Sequence, residues 1–323
     1  MNRKWRRTFW ELAPLVVILA ALVLAFGLGS KHFWSLRTFT TLANRVPTLA
    51  VLATGMTLVL IGGGIDLSVG SVLALAGAVV GVAIADWHWP LAAAMWLGVG
   101  VGLAAGLVNG AITVGARIPS FIVTLGMLEL ARGLSYMTTS SQTKYLGSAV
   151  EGLARPWGGS GLSWAVVIAA VVIVAAQLVL SRSVFGRHLV AVGTNPNATR
   201  LAGVNPGPVQ IAVFAISGML AGLGGVLYAS RLGTSDPNAG TGLELAAIAA
   251  VVIGGTSLQG GRGSVIHSFL GVLVVATLEA GLAQVGASEP TKRVVTGVAI
   301  VLAVLVDALR TRWSNGGFQP TRR

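Results

Sequence analysis

Apolar runs of membrane-spanning length recur along nearly the whole chain, and they set the fold class before any motif is considered. They cover residues 12–28, 46–61, 67–85, 91–114, 118–137, 162–180, 211–230, 265–285 and 294–308, with a shorter piece at 243–253. A helix needs roughly 20 mostly apolar residues to cross the hydrocarbon, where no water is available to satisfy unpaired backbone groups. Charged residues make up only 10% of the chain and mean hydropathy is +0.81, whereas soluble domains are about a quarter charged. The chain therefore reads as an all-α polytopic membrane protein. We expect a single transmembrane domain over 1–323 with about ten transmembrane helices, some of them broken or half-length and glycine-rich.

The charge distribution orients these spans. The net charge is +12, but it lies in short clusters between apolar runs. That pattern fits cytoplasmic loops facing anionic membrane lipid and excludes a nucleic-acid face. Arg3, Lys4, Arg6 and Arg7 precede the first run, which is long enough to be a retained helix rather than a cleaved signal. An even number of spans puts both termini in the cytoplasm, where both are basic. The polar interval 29–45 and the long polar stretch 138–161 then lie outside, the latter as an external loop.

Asp66 is the residue that most needs explaining. It stands inside the apolar stretch 53–81, just after Gly62, Gly63 and Gly64 and before Gly70. A carboxylate at that depth is costly unless it is paired or reaches water. The glycines let the backbone leave the helix there, so the expectation is two helical pieces meeting at a loosened turn, with Ser68 and Ser71 in reach as hydrogen-bond partners. A second interruption, 254–264, has five glycines in eleven residues and carries Thr256 and Ser257. Asp66, Ser68, Ser71, Thr256 and Ser257 are thus candidates for a translocation pathway or for a broken-helix core.

Close helix packing is also encoded. Gly98, Gly102, Gly106 and Gly110 recur every four residues and form one ridge of a helix, and Gly218 and Gly222 repeat the spacing. Glu129 and Arg132 are three apart on one helical face, close enough to pair.

Residues 181–209 form a basic interval with Arg182, Arg187, His188 and Arg200. Asn195-Pro196 and Asn205-Pro206 are helix-start signals that bracket a short helix over 197–202. The chain has no GxxxxGK[ST] phosphate loop, no cysteine, no zinc-type His/Glu spacing and no nucleophile motif. Enzymatic chemistry, ATP hydrolysis included, has no residues to carry it and no metal is expected. On the residues alone, an ion-coupled secondary solute carrier, a channel, and a permease driven by an external ATPase all stay open.

Stretches in both halves of the chain favour the last of these. Gly64-Ile65-Asp66-Leu67-Ser68-Val69-Gly70-Ser71, with Gly55 to Leu60 before it, closely resembles the signature of the ribose, xylose and galactose type permeases of bacterial ABC importers. Gly193-Thr194-Asn195-Pro196 through Asn205, and Gly240 to Leu258, resemble the same family, and the likeness runs over almost the whole chain. It implies a homodimeric permease in the bacterial inner membrane, two ABC ATPase subunits holding ATP and Mg, and a periplasmic sugar-binding protein that delivers a monosaccharide. It implies no cofactor on this chain. Together with the charge and capping signals it marks 193–205 as the cytoplasmic coupling segment, with Asn195, Arg200, Leu201, Gly203 and Asn205 facing the ATPase. In one departure from that family, Ala246 and Ala247 follow Leu245 where an acid is often found.

Overall fold

The computed structural model describes residues 3–31 and 33–315. Its helices are α1 (Arg3–Gly29), α2 (Leu36–Ile61), α3 (Val69–Ala85), α4 (Leu91–Gly115), α5 (Ser120–Thr139), α6 (Glu151–Ala154), α7 (Trp164–Arg182), α8 (Val184–Thr194), α9 (Pro196–Leu201), α10 (Pro206–Leu232), α11 (Leu243–Ile253), α12 (Val265–Gln284) and α13 (Glu289–Asn315). The strands β1 (Lys144–Tyr145) and β2 (Thr234–Ser235) pair antiparallel. Among the described residues the fold is all-α apart from this pair and an isolated bridge between Pro156 and Ser163, and it is multi-span. Among the described residues six helices are long and apolar enough to cross a membrane: α1 from Leu12, α2, α4, α7, α10 and α12. The other expected spans fall on α3 and α11, which are shorter, and on α5 and α13. The basic tail from 316 onward lies outside the described residues.

Side-chain contacts sort the connections to two ends of the bundle. At one end Lys144 pairs with Asp86 at 2.8 Å, Asn44 Nδ2 donates to Gly161 O at 2.8 Å, and Gln284 Nε2 donates to Thr38 Oγ1 at 2.7 Å. The expected external loop 138–161 lies at this end and contains β1 and α6. At the opposite end lie both glycine breaks and the segment 183–205.

Three expectations are corrected. The second span starts at Leu36 rather than at 46, because the Ser35 hydroxyl accepts from Thr38 N and caps a helix that runs through the polar residues and past Pro47. The basic interval is not a loop with one short helix, for residues 184–194 form α8. Ser183 caps it by accepting from Gly186 N at 3.0 Å, and Leu189 and Val192 bury one face while the basic residues line the other. Glu129 and Arg132 do not form an ion pair; Arg132 Nη1 instead donates to the carbonyls of Pro237 and Ala239 at 2.6 and 2.8 Å. Free carbonyls on a non-helical segment are strong acceptors for a guanidinium, and that segment, 236–242, folds in between the helices. Gly240 reaches Gly70 at the start of α3, where a Cβ on either residue would lie 2.6 Å from the other's carbonyl oxygen. As a result α11 begins inside the bundle instead of at its surface.

The glycine ridge of α4 meets the glycines of α10. A Cβ on Gly102 would stand 2.2 Å from Gly218 O, one on Gly106 2.2 Å from Phe214 O, and one on Gly218 2.2 Å from Gly102 O. Lipid-embedded helices gain no hydrophobic advantage from associating, so this backbone-to-backbone contact supplies the dispersion energy that holds the pair. Gly102→Val is expected to destabilise the protein by at least the roughly 1–3 kcal/mol of an overpacked core. Gly100→Ala, where a Cβ meets nothing within 4 Å, should melt at or above the wild-type temperature in detergent. Equal melting temperatures for Gly102→Val and wild type would contradict the packing described.

Candidate functional site

Both breaks end their helices by the same device. At the first, Gly63 takes φ +80°, its N–H bonds Leu60 O at 2.9 Å, and Gly64 N bonds Val59 O at 3.0 Å. At the second, Gly255 takes φ +83°, its N–H bonds Val252 O at 2.8 Å, and Thr256 N bonds Val251 O at 3.2 Å. Each is a Schellman closure, which needs a residue with left-handed backbone and so selects glycine. The sequence is Ile-Gly-Gly in both places, at Ile61-Gly62-Gly63 and Ile253-Gly254-Gly255.

Beyond the first closure the chain has no regular secondary structure through Asp66, and neighbouring helices satisfy its backbone. Ser120 Oγ accepts from Ile65 N at 2.9 Å; Thr124 Oγ1 accepts from Leu67 N at 3.1 Å and donates to Ile65 O at 3.2 Å. Asp66 itself has no exposed surface. Its Oδ1 accepts from Ser68 N at 3.0 Å and Ser68 Oγ at 2.6 Å, and its Oδ2 accepts from Ser217 Oγ of α10 at 2.8 Å. Ser68 Oγ in turn accepts from Asn109 Nδ2 of α4 at 3.0 Å. One side chain thus fastens the break to α10 and, through Ser68, to α4. Ser71 is buried one residue beyond Gly70.

The second break is knit differently. Ser257 N bonds Arg262 O at 2.9 Å, Ser257 Oγ accepts from Gln259 N, and buried Thr256 shares Ser268 Oγ with Thr57, at 3.3 and 2.8 Å. The following helix, α12, is capped in trans: Gln177 Oε1 of α7 accepts from Val265 N at 2.9 Å and from Ser264 Oγ at 3.2 Å. Four of the five candidates therefore form two groups, Asp66 with Ser68 and Thr256 with Ser257, each closed by its own partners, while Ser71 packs beside the first.

Sequence reasoning did not single out Asn109, Ser120, Thr124 or Ser217 and saw Gln177 only as a polar residue near a span's end. The available signal was a lone polar side chain in an apolar span, which in lipid must have a partner.

Backbone contact joins the two groups. Gly261 N donates to Ile61 O at 2.8 Å. Gly193, at the end of α8, sits so close that a Cβ would be 1.7 Å from Ile61 O and 2.7 Å from Gly261 N; one on Gly260 would lie 2.6 Å from Gly193 O and 3.0 Å from Gly63 Cα. From this junction the chain leaves for the surface. Asn195 Oδ1 accepts from Ala198 N at 3.0 Å with Pro196 opening α9, which spans 196–201 rather than 197–202. Gly203 turns the chain at φ +86°, and Asn205 Oδ1 accepts from Gly207 N at 3.1 Å with Pro206 opening α10. Thr199 is buried while Arg200 is exposed, and Leu201 is 91% exposed. Among the described residues no group of three or more His, Asp or Glu could hold a metal ion.

The Asp66 geometry predicts a graded response. Asp66→Asn keeps an acceptor for Ser68 and offers an amide that Ser217 Oγ can accept from, so its loss of thermal stability should be small. Asp66→Leu strands three donors, each at about 1–3 kcal/mol, and should fail to purify as a monodisperse species. Equal melting behaviour of the two variants would rule out this bonding.

Comparison with known proteins follows the same lines. A family described as "Branched-chain amino acid transport system / permease component" matches residues 38–304. The ribose import permease protein of Escherichia coli K12 is 37% identical over 315 residues, 95% of this chain and 97% of that one. The fructose import permease protein of Rhizobium meliloti is 33% identical over 91% of this chain and 84% of its own length. For the autoinducer 2 import system permease protein of Photorhabdus luminescens the figures are 34%, 92% and 90%. With matches of this extent, the chain belongs to the family of ABC-type import permeases to which the ribose import permease is related.

Proposed function

We propose that this chain is the membrane path for a monosaccharide, received from a periplasmic sugar-binding protein and moved inward on work done by a separate ATPase. That it is the permease component of an ABC-type sugar import system rests on its family; the family is one of transport permeases, not of enzymes. Such a permease works within a multi-subunit importer. The observation that carries the finer reading is the direct backbone seat of Gly193 on Ile61, because it ties the exposed segment 193–205 to both helix breaks.

In this reading the segment is cytoplasmic, Arg200 and Leu201 enter the ATPase, and Asn195 and Asn205 keep the turn rigid by capping the helices on either side. A rigid turn transmits displacement, and Gly193 delivers it to the first break and Gly260–Gly261 of the second. Asp66, Ser68, Ser71, Thr256 and Ser257 then hold the broken-helix core together while the pieces move as bodies. Two copies of the chain form the pore unit, each with ten spans and both termini cytoplasmic in the inner membrane. The ten are α1–α5, α7 and α10–α13. ATP and Mg belong to the ATPase.

The test is reconstitution in proteoliposomes. Ribose uptake should require this chain, the ATPase and the loaded binding protein together; uptake by the chain alone would point to a secondary carrier. Arg200→Cys should crosslink to the ATPase, and a cysteine scan of 193–205 with no ATPase proximity would remove the coupling assignment. Gly193→Ala should cut uptake roughly ten-fold or more, the equivalent of about 1.4 kcal/mol on the barrier, with the ATPase still bound.

A further inference from the structure

The polar groups at the breaks bond to one another, which leaves the solute's own contacts to be found elsewhere. At the end of the bundle opposite the coupling segment, a chamber of about 590 Å³ opens between α2, α10, α11, α12 and α13. That volume falls within the roughly 300–1,000 Å³ of small-molecule sites. Its floor is the start of α11, at Thr241 and Gly242, where the segment 236–242 has carried the chain into the bundle. Arg45, Tyr228, Arg231 and Glu279 stand around it, with apolar Leu49 and Leu243 between them.

Resting on the sugar-import reading above, we infer that this chamber is the site where the permease itself holds the monosaccharide, with Arg231 and Thr241 as its principal contacts. A neutral polyhydroxylated ring needs donors, acceptors and an apolar face together, and the chamber has all three. Arg45 and Arg231 donate, Glu279 accepts, Thr241 Oγ1, which donates to Asn238 O at 2.8 Å, accepts as well, and the leucines offer the apolar face.

Arg231 is placed for such a role. Its guanidinium lies 5.1 Å from the centre of the Tyr228 ring, which fixes the side chain, while its buried Nε finds no protein partner. Buried donors are nearly always bonded, so an unpaired Nε on a side chain that lines a chamber marks a residue whose bonding a ligand would complete. A lipid phosphate is the competing occupant. Arg45, Arg231, Lys292 and Arg293 outnumber Glu279 and Glu289 around the chamber, and Lys292 is held by Glu289 at 3.1 Å. The carboxylates accept from sugar hydroxyls and repel a phosphate, which favours the sugar, and the response to anionic lipid content separates the two occupants.

The assembled importer, with ATPase and sugar-loaded binding protein in proteoliposomes, provides the test when import and ATP hydrolysis are read together. Arg231→Gln, and Thr241→Trp as an independent plug of an exposed lining position, should each lower sugar imported per ATP by at least an order of magnitude. Hydrolysis should still respond to the binding protein. Arg231→Lys, which keeps the charge but not the planar fork, should fall between. Import per ATP unchanged in both variants, or import and hydrolysis collapsing together in both, would overturn the assignment. So would a defect that follows anionic lipid content instead of sugar concentration. A wild-type complex that hydrolyses ATP yet imports no monosaccharide would instead refute the proposed function, and this shows before any variant is made.

Discussion

A helix interrupted inside a bilayer leaves backbone N–H and C=O groups where water is scarce, each costing several kcal/mol if unpaired. Everything distinctive about this protein follows from how the two interruptions meet that demand. Glycines at φ +80° and +83° turn the freed groups back on their own helices. Ser120, Thr124 and Gln177 reach across from α5 and α7 to take the rest. Asp66, accepting three hydrogen bonds, is what remains affordable of a carboxylate at that position.

The same glycines that permit the breaks also let other backbone approach them. Ile61 O accepts from Gly261 N, and Gly193 lies within a methyl group's width of the same carbonyl. Three segments far apart in the chain thereby share one contact with no side chain between them to absorb movement. A stiff junction of this kind suits a permease without a nucleotide site, whose work must arrive through a surface. It lies at the end of the bundle opposite the polar chamber.

Much of this was legible in the residues. The glycine spacing and the Asn-Pro pairs rest on local rules of period and capping and appear in the structure within a residue or two of where they were expected, and most apolar runs fall on helices, the start of α2 being the largest displacement. Less visible were features that depend on which neighbour wins. Residues 36–45 look too polar for a span, yet they continue α2 because Ser35 caps it and because Arg45 and Asn44 face polar neighbours. Residues 184–194 read as a loop because their basic residues mask a narrow apolar face that is buried at Leu189 and Val192. Arg132 had a carboxylate at helical spacing, but the carbonyls of 237 and 239, distant in sequence, bind it instead.

The sequence by itself determined that this is a multi-span helical membrane protein with two glycine-rich interruptions, one buried acid and no nucleotide site, because span length, composition and motif spacing are local quantities. Only the tertiary structure decided what the acid bonds to, that α8 ends against the first break, and that the start of α11 forms the floor of a polar chamber. Those outcomes turn on contacts across some 50 to 150 residues of chain, such as Ser120 to Ile65 or Ser217 to Asp66. No local rule fixes them, because any of several polar side chains could have met the need and packing chose among them.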